Sequence, residues 1–106
     1  MHYEIRRYQA QPGRRDEWVR YMEDVVIPFQ AGLGMDVIAS FVDDRDEDGY
    51  VWIRRFEDDA QSEALHAAVY GHDRWKNEIG PVVYGLLIPE KSVVTRVTPT
   101  PASPLR

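Results

Sequence analysis

Two stretches of this chain carry the same chemistry-bearing pattern. Tyr3-Glu4-Ile5-Arg6-Arg7-Tyr8 is echoed by Val51-Trp52-Ile53-Arg54-Arg55-Phe56, so Arg6 and Arg54 hold matching places. A guanidinium offers a fixed fork of N–H donors and stays charged when partly buried. Such a pair could hold a carboxylate, a phosphate or an enolate oxygen. Glu4 shares their face, and an internal ion pair with it is the plainer use of the same charges. Tyr8, Trp52 and Phe56 fall on that face too, and Trp75 is a further aromatic. Arg6, Tyr8, Trp52, Arg54, Phe56 and Trp75 therefore form the candidate substrate-binding set.

A catalytic group is harder to find. His72-Asp73 could act as an oriented general base. The plainer reading has Asp73 capping a helix and His72 in solvent. His2, His66 and His72 are the only histidines, and their spacings fit no zinc pattern. Asp44 to Gly49 matches the first half of a calcium loop. Its twelfth position would be Arg55, where a bidentate carboxylate is needed, so a solvated hairpin tip is expected and no metal. There is no serine-centred elbow, phosphate loop or dinucleotide fingerprint, and no cofactor is implied.

Composition narrows the rest. One domain is expected from 106 residues. The net charge of -5 argues against non-specific binding to nucleic acid or anionic lipid. With no cysteine, disulfides, thiolate catalysis and Cys-ligated metals are excluded. No apolar run is long enough to span a membrane. A strand pattern begins at once, leaving no room for a targeting peptide, so a cytoplasmic protein is expected.

The elements that must position these residues follow from pattern. His2 to Gln9 reads as a strand. Pro12-Gly13 breaks it, and Trp18, Met22, Val25 or Val26 and Phe29 mark the apolar face of a helix. Pro28 should kink or tighten its end, and Gly32 and Gly34 should close it. Met35 to Val42 and Tyr50 to Phe56 are strands around the acidic turn. Asp58 or Asp59 can cap a second helix with Ala60, Ala64, Leu65, Ala68 and Val69 on its apolar face. A short helix around Trp75 and Ile79 should stop at Gly80-Pro81. Ser92 to Val97 is the last strand. Residues 1–98 make the domain, and residues 99–106 a flexible Pro-rich tail. The order is βαββαβ: an α+β, ferredoxin-like fold with an antiparallel sheet.

One face of such a sheet lies under the helices and the other is bare. Tyr3, Ile5, Arg7, Val51, Ile53 and Arg55 form the more aliphatic set and are expected to meet the helices. Glu4, Arg6, Tyr8, Trp52, Arg54 and Phe56 would then be exposed, and so large an aromatic patch needs a cover. A second copy packed sheet to sheet is the simplest one. The homodimer would enclose a cavity for a small molecule.

Tyr3-Glu4-Ile5-Arg6 with Tyr8, then Pro12-Gly13 and an amphipathic helix, resembles the opening of the NIPSNAP family. Trp52 to Phe56 with Glu57-Asp58, then Asp73 before Trp75, resembles its second half. The resemblance spans roughly residues 2 to 98. It implies a dimeric α/β barrel and no single reaction, since the wider superfamily holds monooxygenases, isomerases, cyclases and haem enzymes. The haem-degrading kind carries an Asn on the first strand, absent here. Two functions are therefore in view. One is a non-catalytic dimer that binds a small anionic or aromatic molecule. The other is a cofactor-independent monooxygenase, isomerase or cyclase acting on an aromatic or polyketide-like substrate.

Overall fold

The computed structural model describes residues 1–106. Four strands, β1 (His2–Gln9), β2 (Asp36–Val42), β3 (Gly49–Phe56) and β4 (Val93–Val97), form one antiparallel sheet in the order β2-β3-β1-β4. This is the ferredoxin-like arrangement, with β1 and β3 central. Antiparallel register decides what the repeated pattern means. Glu4 stands opposite Arg54, and Arg6 opposite Trp52. The two repeated arginines are thus diagonal neighbours with Glu4 between them.

Two long helical segments cover one face of the sheet. In the first, α1 (Arg15–Tyr21) and α2 (Ile27–Gly32) flank a π-helical turn, Met22–Val26. After α3 (Asp59–Tyr70), capped by Asp58 accepting from the Gln61 N–H at 2.7 Å, a second π-helical turn, Trp75–Ile79, runs into α4 (Gly80–Leu86). The segment does not stop at Gly80-Pro81 as its sequence suggests. Both prolines, Pro28 and Pro81, stand two residues beyond a π turn. The preceding N–H groups, of Ile27 and Gly80, bond five residues back to Met22 and Trp75. A proline ring clashes with the carbonyl one ordinary turn before it. Widening by one residue relieves that clash and lets the helix continue.

The sheet faces are the reverse of the sequence expectation. Tyr8, Tyr50, Trp52, Arg54 and Phe56 are buried under the helices with Trp18, Met22, Val26 and Trp75. Aromatic rings bury far more area than valine or isoleucine, so the aromatic face outbids the aliphatic one for the core. It carries Glu4, Arg6 and Arg54 inward with it. The other face carries Ile5, Val51, Ile53 and, at its edges, Phe41 and Val93, which are 53% and 55% exposed. Residues 98–106 add no helix or strand. No helix is long and apolar enough to cross a membrane.

Candidate binding cavity

Between sheet and helices lies a cavity of about 460 Å³. Its floor is Arg6, Tyr8 and Trp52 from β1 and β3. Its walls include Trp18, Met22, Val26 and Gln30 on one helical segment, His66 and Tyr70 on α3, and Trp75 from the second π turn. Both π turns therefore present side chains to it, a placement such turns often have at functional sites. The aromatics brace one another. Trp18 packs edge-on against Tyr8 and Tyr50, with ring centres 5.9 and 5.8 Å apart, and Trp75 does the same to Tyr70 at 4.9 Å. Tyr84 and Pro89 are exposed and form part of the rim.

Glu4 organises the polar floor. Its Oε1 accepts from Arg6 Nε at 2.5 Å and from Arg54 Nη2 and Nε at 2.5 and 3.2 Å; its Oε2 lies 3.3 Å from His66 Nε2. Burial alone would push this carboxyl up. Hydrogen bonds with His66 and Arg6 and the attraction of Arg54 outweigh it and hold the carboxyl well below the usual range.

The two arginines have different standing. Arg54 is wholly buried and spends every N–H within the protein: Nη1 on Gln30 Oε1 (2.8 Å) and Tyr70 Oη (3.1 Å), Nη2 on Glu4 and His66, Nε on Glu4. Its guanidinium also lies 4.9 Å over the Trp52 ring. Arg6 donates from Nε to Glu4 and from Nη1 to Tyr8 Oη at 3.2 Å. Its Nη2 has no protein acceptor, and its side chain lines the cavity. Burial pushes the Tyr8 hydroxyl up, so that group stays neutral over the physiological range.

Of the candidate set, Arg6, Tyr8, Trp52 and Trp75 line the cavity. Arg54 sits behind the wall as the ion-pair partner of Glu4. Phe56 lies deeper, stacked between His2 and His66. His72 and Asp73 are exposed and do not line the cavity. His72, not Asp73, accepts a backbone N–H at that helix start, from Arg74 at 3.0 Å. No three His, Asp or Glu side chains gather where they could hold a metal ion.

Sequence reasoning missed Gln30, His66 and Tyr70 as cavity residues. Four-residue steps carry the signal: Trp18, Met22, Val26, Gln30 on one segment and His66, Tyr70 on α3. In both series polar residues continue a lining stripe, and a search for apolar faces alone passes over them.

Comparison with known proteins agrees with this architecture. The NIPSNAP family model matches residues 3–104. Protein Atu4242 from Agrobacterium tumefaciens superposes with a TM-score of 0.88 at 25% identity over the whole of both chains. A NIPSNAP family protein from the same organism, Atu5224, gives 0.86 at 25% identity over 99% of this chain and 90% of its own. An antibiotic biosynthesis monooxygenase gives 0.69 at 17% identity, over 95% of this chain and all of its own, a likeness of fold. No functionally curated protein matches the chain.

Proposed function

The chain belongs to the NIPSNAP family, and we propose that its cavity binds a small anionic aromatic molecule with Arg6 as the charge partner. Arg6 carries the reading. It is the cationic side chain on the cavity lining, and its Nη2 has no protein acceptor, whereas its neighbour Arg54 is saturated. Aromatic walls around one oriented charge suit a flat apolar body with an acidic end, and about 460 Å³ lies within the usual range for ligand sites. Titration with 2-naphthoate and its uncharged amide, followed by tryptophan fluorescence and calorimetry, tests it. The acid should bind more tightly, and Arg6→Met should weaken the acid by about 1–3 kcal/mol while sparing the amide. Equal binding of acid and amide, or an acid indifferent to Arg6→Met, rejects the reading.

The same proposal includes a homodimer in the cytoplasm. The apolar open face of the sheet supports pairing, because an uncovered patch of this kind is costly in water. The interface therefore uses the face opposite to the cavity, not the aromatic face inferred from sequence.

A catalytic version is favoured by one observation: an imidazole stands on the cavity wall. His66 Nδ1 lies 2.7 Å from the Ser62 carbonyl, which fixes the ring and turns Nε2 toward Glu4 and Arg54. A cofactor-free oxygenase, isomerase or cyclase would take a proton from an enolisable substrate on Nε2, which must first give up its bond from Arg54 Nη2 and, once protonated, faces Glu4 Oε2, with Arg6 holding the enolate oxygen. Deuterium uptake from D2O at the benzylic carbon of 2-tetralone measures that step. Faster uptake than in buffer, lost in His66→Gln, would support catalysis; no acceleration leaves a binding protein.

A further inference from the structure

Gln30 is wholly buried on the helical wall of the cavity, and its Nε2 has no protein partner. Its orientation is fixed chemically. Arg54 has only donors, so the oxygen of the amide must face Arg54 Nη1, at 2.8 Å. Swapping the amide ends would set an N–H against an N–H. The nitrogen is therefore held away from Arg54, on a residue that lines the cavity. A buried donor left without an acceptor is costly. Here nothing in the protein supplies one within hydrogen-bond distance, and Glu4, the carboxylate nearby, takes Arg6 and Arg54 on its Oε1. The Nε1 of Trp18, on the same wall, is a second buried N–H without a partner. Trp52 Nε1, on the floor, is a third.

We infer that Gln30 is a specificity-determining residue, donating from Nε2 to an uncharged acceptor oxygen of the ligand at a point distinct from the anionic end held by Arg6. The ligand class is accordingly an aromatic acid that also bears a carbonyl. Arg54 acts as the positioning residue that holds the amide in this sense. This rests on the reading of the cavity as an anionic-aromatic site and adds the second polar contact.

Two isosteric probes separate the contacts: 6-acetyl-2-naphthoate and 6-isopropenyl-2-naphthoate, which differ only by C=O against C=CH2. The isopropenyl group is the more apolar, so a preference for the acetyl probe reports a hydrogen bond. Calorimetry on the wild type should show the acetyl probe binding roughly five- to tenfold more tightly. Gln30→Met and Gln30→Glu should bring the ratio to one or below. Gln30→Glu keeps an acceptor for Arg54, so it decides the matter if Gln30→Met fails to fold. Arg6→Met should weaken both probes and leave the ratio intact, which separates failure of this inference from failure of the charge contact. Equal affinities in the wild type, or a ratio unchanged in the glutamine variants, overturn the role of Gln30 and leave its amide to bound water. If neither probe binds the wild type, the anionic-aromatic reading fails and this inference with it.

Discussion

Glu4 meets Arg54 through two of its guanidinium N–H groups, at 2.5 and 3.2 Å, from directly opposite positions on β1 and β3. Arg54 is fully buried, so the pair is a structural tie whose loss strands a charge. Glu4→Gln should lower unfolding free energy by about 3–5 kcal/mol, the range for breaking a buried pair from one side. The pH dependence has a definite sign. The folded Glu4 carboxyl is depressed, so its stabilisation is complete above the unfolded value, about 4.3, and fades as pH falls below it. Urea midpoints of the wild type should drop on acidification through that range, and Glu4→Gln should show a shallower drop. Parallel curves would remove Glu4 from the account of acid stability.

Gly80 gives Trp75 its place. A Cβ at position 80 would stand 2.9 Å from the Trp75 carbonyl oxygen and 3.1 Å from its indole Nε1. Alanine normally favours a helix, but here it must push the π turn or the indole aside. Gly80→Ala should therefore destabilise, by roughly 1–3 kcal/mol as overpacking does. It should also lower affinity for 2-naphthoate, since Trp75 lines the cavity. A variant as stable as the wild type, with unchanged binding, would show that the turn yields freely.

The open sheet face makes a separate prediction. Phe41 stands opposite Val51 on β3, and Ile53 lies two residues further along the same face. Ile53→Glu sets a charge in the middle of that surface. Sedimentation should show the wild type as a dimer at micromolar concentration and Ile53→Glu as a folded monomer. A monomeric wild type would leave the apolar face without its proposed cover.

Much of the fold was legible because it rests on short-range signals. His2 to Gln9 alternates, Asp58 caps, and the acidic turn separates two strands. Which face went inward was not legible from aliphatic content. Trp52, Phe56 and Tyr50 outweigh Val51 and Ile53 in buried area, and the arginine that accompanies them is neutralised by Glu4 from the opposite strand. The plainer ion-pair reading thus holds for Arg54, and Arg6 retains a free donor beside the same carboxylate. Pro81 misled: Gly80-Pro81 reads as a stop, and only the π turn before it lets the helix run on. Gln30 and His66 escaped notice because their partner Arg54 reaches them across the core, from another element.

The acidic turn is held by its own carboxylates and by two arginines from elsewhere. Asp43 Oδ1 accepts the N–H groups of Arg45 and Asp46, and Oδ2 takes Arg7 Nη1 at 3.0 Å. Arg15 Nη1 serves the carbonyls of Asp43, Asp46 and Gly49, at 2.8, 2.8 and 3.3 Å. Those backbone N–H bonds, aided by Arg7, hold the Asp43 carboxyl down to about 2. Its stabilisation is thus present above the unfolded value, about 3.9, and lost as pH falls toward 2. Asp44 takes no part in these bonds. Asp44→Asn should leave the melting temperature unchanged, whereas Arg15→Ala and Asp43→Ala should each lower it, the latter by less at pH 2.5 than at pH 7. Millimolar calcium should raise none of these temperatures, because Asp43, Asp46 and Asp48 already spend carboxylate oxygens on N–H groups. A rise with calcium in the wild type alone would show that the turn opens to take a metal.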